Sequence, residues 1–343
     1  MERFSIFWPR GFQATDGPSR SRKPLDLRHG LTLYGESEGT STIMSRVLSV
    51  VGVPSGAGAC GVGQEQSPMA LREAGLLSEL ADIGFEVTDL GDGPTVPWRP
   101  DRVRPDAQNL DAVVDVVEKT ASRVAAVLSE RDGMALVLGG DCTVGIGTVA
   151  GVRHARGRIG LIYFDLHSDL NIPGTASDGA LDWMALGHML ALDGAEPKLA
   201  GACGQEPLIE PDQVMLFGHS MHQSTRFERG EIDRLQLGRI SSEDVQRAPE
   251  EAAGKALEFA TRHRHYVIHL DVDVVDFTDA PLSEHPSRNV GLRLTEMLRA
   301  LAVLASNDRL AAITVAELNP HNAASDPGLL ERFAASLADA IRP

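Results

Sequence analysis

From Val47 onward, short apolar runs alternate with longer stretches whose apolar positions recur every three or four residues. Uninterrupted apolar runs suit strands buried on both faces, and the longer period suits helices packed by one side. The predicted strands are Val47 to Val53, Phe85 to Leu90, Met134 to Leu138, Ile159 to Phe164, Val214 to Phe217, Arg239 to Ser241, Tyr266 to Leu270 and Ala312 to Ala316. Helices are predicted between them: from Ser67-Pro68 to Ile83, from Leu110 to Leu128, and onward from Thr143. Others span Leu181 to Leu192, Glu250 to Arg262, Thr295 to Ala305 and Gly328 to Ile341. Alternating β and α units predict an α/β fold: a three-layer α/β/α arrangement around a mostly parallel sheet of about eight strands. A closed (β/α)₈ barrel uses the same alphabet, and periodicity alone leaves it open.

The strands end in an unusual way. Ile159 to Phe164 stops at Asp165-Leu166-His167-Ser168-Asp169-Leu170-Asn171, which sets metal-ligand side chains at alternate positions. Asp, Ser and Asn also open ordinary loops, so this stretch alone does not define a metal site. A second apolar strand, however, ends in Asp271-Val272-Asp273 with Asp276 beyond. In an open parallel sheet the carboxyl ends of strands line the ligand crevice, so two acidic strand ends can converge there.

Composition narrows the partners. A chain of 343 residues that is 43% hydrophobic can bury a large core, and its formal charge of −16 repels nucleic acid and anionic membrane surfaces. No apolar run reaches the ~20 residues that a membrane helix needs. Three cysteines, Cys60, Cys142 and Cys203, without CxxC spacing, point to a reducing, cytoplasmic setting. Residues 1–43 mix Pro, Gly, Ser and Arg without an apolar signal segment, so a disordered N-terminal extension is expected, with Met44 an equally plausible start. Residues 44–343 carry no repeat or linker and are expected to form one domain.

Four strand ends now share a character: Gly139-Gly140-Asp141-Cys142, Asp165 to Asn171, Asp271-Val272-Asp273 and Glu317-Leu318-Asn319-Pro320. In this order they resemble the four motifs of the arginase and agmatinase (ureohydrolase) family. The resemblance runs from Val47 to the C-terminus and includes Ser67-Pro68-Met69-Ala70-Leu71-Arg72-Glu73-Ala74-Gly75-Leu76, similar to the family's first helix. It implies an open α/β/α fold with two Mn²⁺ ions held by Cys142, Asp165, His167, Asp169, Asp271 and Asp273. One ion would take Cys142, Asp165, Asp169 and Asp271; the other would take His167, Asp165, Asp271 and Asp273. Such ions ionise a water near neutral pH, and the family turns it on the planar carbon of guanidino or amidino groups. Glu317 matches the glutamate that grips the guanidinium.

The chain departs from the family pattern in three places. Cys142 stands where a histidine ligand is usual, either as a thiolate that favours Zn²⁺ or Fe²⁺ or as a small buried hydrophobe beside a weak or empty site. Asp182 falls on the family's histidine proton shuttle, and Asp178 and Ala180 fall on residues that bind the arginine carboxylate. An aspartate there repels a carboxylate, while Asp182 reads equally as a helix N-cap or as an acid in the site. Gly218-His219-Ser220-Met221-His222-Gln223 and Leu282-Ser283-Glu284-His285-Pro286 also differ from the pattern, with His285 the favoured replacement acid or base.

Together these make Asp169, Asp182, His285 and Glu317 the catalytic candidates, and Asn171, Asp178, Asp182 and Glu317 the substrate-binding ones. The expected function is metal-dependent hydrolysis of a guanidino C–N bond, in agmatine or a modified arginine such as N-hydroxyarginine, by a homo-oligomer, trimer or hexamer. A formimino substrate and a catalytically silent structural relative are the alternatives. A mononuclear deacetylase-type site fits less well, because Asp271 and Asp273 supply ligands for a second ion.

Overall fold

Eight strands form one sheet, and every pairing in it is parallel. They are β1 (Val47–Gly52), β2 (Glu86–Asp92), β3 (Met134–Leu138), β4 (Gly160–Phe164), β5 (Val214–His219), β6 (Gly238–Ser241), β7 (Tyr266–Asp271) and β8 (Leu310–Ala316). The computed structural model describes residues 46–130 and 133–343, so the extension expected over residues 1–43 lies outside the described residues. Strand order is β2-β1-β3-β8-β7-β4-β5-β6, with β2 and β6 each paired on one side only. The sheet is therefore open, and the barrel alternative falls.

Side chains of a strand point alternately to opposite faces, so each apolar strand feeds two cores. Leu136, Ile162, Ile268 and Ile313 pack with the helices Leu76–Asp82, Pro249–Ala260, Leu294–Ala305 and Leu329–Ala340. Ala135, Val137, Leu161, Tyr163 and Val267 pack with the helices Leu110–Glu130 and Val144–Arg156 on the other face. Each large side chain so buried contributes about 1.5–3 kcal/mol, which is why the central strands are almost unbroken runs of Val, Ile and Leu. Edge strand β2 is the least buried and carries Glu86, Asp89 and Asp92, charges that discourage pairing with another sheet. Among the described residues, no helix is long and apolar enough to cross a membrane.

Local chemistry moved several predicted boundaries. The helix expected from Ser67 to Ile83 is two, Ser67–Glu73 and Leu76–Asp82, because Gly75 between them takes the left-handed conformation at φ 88°. The helix expected from Leu181 to Leu192 shrinks to a 3₁₀ turn at Asp182–Met184 and a short helix Ala185–Met189. Here the loop competes for its backbone: the Asn171 N–H donates to the Trp183 carbonyl at 3.2 Å, while the Gly187 N–H donates to the Asp169 carbonyl at 2.9 Å. Helix Arg226–Leu235 was missed, although Thr225 and Glu228 form the reciprocal cap that announces it.

Candidate metal centre and active site

Sheet register brings the acidic strand ends together. Phe164 pairs with Leu270, Leu270 with Val315, and Val315 with Leu138, so the four motifs leave β4, β7, β8 and β3 at one level on four adjacent strands. Beyond the last pairs the chains turn sharply. Asp169 and Glu317 both hold left-handed backbones, at φ 49° and 64°. A non-glycine residue in that region costs about 1–3 kcal/mol, a strain that recurs where side chains must be aimed.

On one side of the resulting cluster, His167 Nδ1 lies 2.9 Å from Asp273 Oδ2 and 3.6 Å from Asp165 Oδ1. The His167 N–H donates to Asp165 Oδ1 at 2.6 Å, and the Asp273 N–H donates to Asp271 Oδ1 at 2.7 Å, so each motif orients its own carboxylate. On the other side the Cys142 thiol donates to Asp271 Oδ2 at 3.0 Å, and His269 Nε2 is 3.3 Å from the same sulfur. The Cys142 N–H donates to Glu317 Oε1 at 2.9 Å, and Gln64 Nε2 donates to Glu317 Oε2. Tyr163 donates its hydroxyl to Asp169 Oδ2 at 2.5 Å and stacks on the His269 ring at 4.5 Å.

This is a buried concentration of negative charge. Burial pushes the Asp165 carboxyl up to about 7, with Asp273 adding to the rise. Burial also holds Asp169, Asp271 and Glu317 well above the usual carboxylate range, reinforced by Asp165, by Asp273 and by Asp182 respectively. Burial favours a neutral His167, but Asp273 and Asp165 outweigh it and raise the imidazole well above its ordinary value. Asp273 falls below the usual range against its own burial, because His167 faces it. Burial first, then Asp271, pushes the Cys142 thiol well up. Like charges packed this closely are tolerable only with protons or cations between them.

Divalent ions fit that requirement. Asp165 Oδ2 and Asp273 Oδ1 are buried without a hydrogen-bond partner. Three groups of potential donors each lie within 4.8 Å of one another: Asp165, His167 and Asp273; Cys142, Asp271 and Glu317; Cys142, Asp165 and His269. Carboxylate and imidazole donors suit hard and borderline dications, and the thiol draws the Cys142 side toward softer ones.

A cavity of about 160 Å³ opens onto the centre. Cys142, His167, Asp169, Asp271, Asp273 and Glu317 form its floor, and Cys60, Asp182, Trp183, Glu284, His285 and Pro286 complete its walls. The rings of His167, Trp183 and His285 meet edge to face, 5.2–5.5 Å apart. Asp165 is fully buried beneath the floor. Of the other predicted residues, Asp182 and His285 reach the cavity, while Asn171 and Asp178 do not line it. The Asn171 side-chain oxygen accepts from the Thr175 and Thr225 hydroxyls, both at 3.0 Å, and so ties the loop to helix Arg226–Leu235. Asp178 is exposed. His219 is buried against Ser224 at 2.8 Å and His222 is exposed, so neither joins the centre.

Asp141, inside the glycine-rich motif, turns out to brace the loops. It accepts from the Gly58 and Thr143 N–H groups at 3.0 and 2.9 Å. Sequence reasoning also missed Gln64, Tyr163, Trp183, Glu284 and His269 as members of the site. Only His269 left a signal, a polar residue in the middle of an apolar strand and on the same face as Asp271.

An open parallel sheet with carboxylates and an imidazole gathered at four neighbouring strand ends defines a three-layer α/β/α protein whose candidate site lies at the carboxyl ends of its strands. The chain belongs to the arginase family, whose model matches residues 46–341. It is 32% identical over 286 residues to an arginase of Bacillus caldovelox, covering 80% of this chain and 91% of that relative. The native structure of the Bacillus caldovelox arginase superposes with a TM-score of 0.76 at 28% identity, covering 86% of this chain and 98% of the other. An arginase structure from Bacillus cereus gives 0.75 at 26% identity, covering 86% and 98%.

Proposed function

We propose that this ureohydrolase takes a guanidino amine, agmatine-like in having a second cationic or neutral end, and releases urea from it. The observation that carries this reading is the lining of the cavity: Asp182, Glu284 and Glu317 bring carboxylates to it, and among the described residues no Lys or Arg does. A free carboxylate at the far end of L-arginine meets no cation there and faces the Glu284 carboxylate instead.

His167, Asp165, Asp273 and Asp271 on one side and Cys142, Asp165, Asp169 and Asp271 on the other would hold divalent ions, Mn²⁺ in the first instance, which would supply an activated water at neutral pH. Glu317 is set to accept a planar guanidinium: Gln64 and the Cys142 N–H orient its two oxygens, each of which keeps acceptor capacity. Trp183 and His285, packed edge to face at 82°, line the cavity mouth beside His167 and help to exclude water from the centre. Burial, with Asp141 behind it, holds Asp182 well above the usual carboxylate range. A protonated Asp182 gives its proton to the leaving amine, the role for which a raised carboxyl is suited. Trimer or hexamer assembly belongs to the same reading and is checked by light scattering.

The test is urea release by metal-loaded protein from agmatine, guanidinobutyrate, N-hydroxyarginine and arginine, with formiminoglutamate hydrolysis assayed alongside. The expected order puts agmatine first, by about tenfold or more in kcat/KM over arginine, the worth of one unfavourable charge contact. Faster turnover of arginine or of formiminoglutamate overturns the substrate assignment. No turnover of any of them by a chain holding two ions per subunit favours the silent structural relative.

A further inference from the structure

We infer that the imidazole missing from position 142 has been replaced by one from a different strand: His269 on β7 joins Cys142 as a ligand pair for a sulfur-preferring divalent ion such as Zn²⁺ or Co²⁺. The inference rests on the metallohydrolase reading above and specifies which atoms hold the ion on the Cys142 side.

His269 Nε2 and Cys142 Sγ are 3.3 Å apart, and with an Asp165 oxygen they fall within 4.8 Å of one another. That spacing lies within reach of one ion at bond lengths of about 2.0–2.3 Å. His269 is fully buried in the middle of an otherwise apolar stretch, Tyr266 to Leu270, and its Nδ1 has no hydrogen-bond partner. An imidazole placed there without polar support is costly unless its other nitrogen meets something stronger than a thiol.

The surroundings are shaped around this ring. Tyr163 stacks on it at 15° between planes, and the same tyrosine holds Asp169 through its hydroxyl. Gly145 leaves the space the ring fills: a Cβ at that position would sit 2.5 Å from His269 Nδ1. Asp271, two residues further along β7, accepts from Cys142. Sulfur and nitrogen together bind Zn²⁺ and Co²⁺ more tightly than Mn²⁺, so the two halves of the centre are expected to differ in metal preference.

Full-length protein, stripped and then titrated with Co²⁺, provides the test. The expected result is two ions per chain and a thiolate-to-cobalt charge-transfer band in the near ultraviolet. Cys142→Ser abolishes the band, and His269→Ala weakens one of the two ions by about 100-fold or more while leaving the other unchanged. Offered equal Zn²⁺ and Mn²⁺, the wild type takes Zn²⁺ on this side, whereas the double variant Cys142→His with His269→Ala shifts toward Mn²⁺. His269→Asn, which keeps a polar group of similar size, is the substitute if the alanine variant does not fold.

Two ions bound with no sulfur band, or unchanged affinities in both His269 variants, overturn the inference even if urea is formed. A sulfur band that depends on Cys142, with His269-dependent affinity and no urea from any guanidino compound, upholds it and sinks the substrate reading instead.

Discussion

Where Asp165, His167 and Asp273 meet, the centre is built from one imidazole and carboxylates, tied by a 2.9 Å contact and backed by N–H donors of the same loops. Where Cys142, Asp271 and His269 meet, a thiol stands beside one carboxylate, and an imidazole arrives from two residues before Asp271 on β7. The first half is built from carboxylates and one imidazole of two strand-end motifs; the second adds a thiol from a third strand end and an imidazole from within β7. The difference teaches that strand ends two places apart in one sheet can bring their donors to the same space, as β7 brings His269 to Cys142 at the end of β3 across the intervening β8. The requirement is set by space around the ion, and the sheet brings several side chains to the same space.

Removing the carboxylate both halves share has the largest expected effect. Asp165→Ala should empty both sides and lower kcat/KM by about 1,000-fold or more, since the activated water goes with the ions. Elemental analysis with urea release checks it, and a variant that kept both ions and most of its activity would break the two-sided picture. A pH titration of stability separates the centre from the rest of the fold. Burial, against one Met184 carbonyl contact, lowers His188 from 6.5 to about 4, and this residue lies away from the cavity. A folded value below the unfolded one means the contribution is complete above pH 6.5 and is lost as pH falls toward about 4. That loss amounts to about 3 kcal/mol. His188→Gln should flatten the fall in denaturant midpoint over that window without altering metal content.

Gly145→Ala acts on the Cys142 side alone. The new methyl meets the stacked His269 ring, so about 1–3 kcal/mol of stability should be lost, together with affinity for the ion on that side. Thermal melts and Co²⁺ titration would show it, and a silent substitution would mean the ring is free to move. Smallest is Glu284→Gln, which removes one wall charge and should narrow the agmatine-over-arginine preference by only a few fold, about 1 kcal/mol. Paired kcat/KM values for the two substrates measure that change.

Much of this was legible along the chain. The unbroken runs of β3, β4, β7 and β8 announced strands buried on both faces, and the acidic residues that follow announced what their ends do. That Asp165, His167, Asp271 and Asp273 would gather at one place could be anticipated, because a polar residue with ligand chemistry straight after an apolar run has few bland explanations once it recurs. His269 was also within reach: it stands at an alternate position to Asp271 in a strand that is otherwise apolar up to that point. Helix Arg226–Leu235 was signalled by Thr225 and Glu228. By contrast, nothing local to Asn171 announced that its oxygen accepts from two threonine hydroxyls, one of them 54 residues away, outside the cavity lining.

The sequence by itself determined the alternation of strands and helices, the four motifs and the chemistry available at each strand end, because these depend on local pattern. Only the tertiary structure decided that the sheet is open, with the order that makes β3, β8, β7 and β4 neighbours. Nor could local pattern bring Gln64 to Glu317 across 253 positions, or lay Tyr163 against His269. Such contacts follow from strand register and the packing of two cores. These are set by the shape of the whole chain, so no short stretch records them.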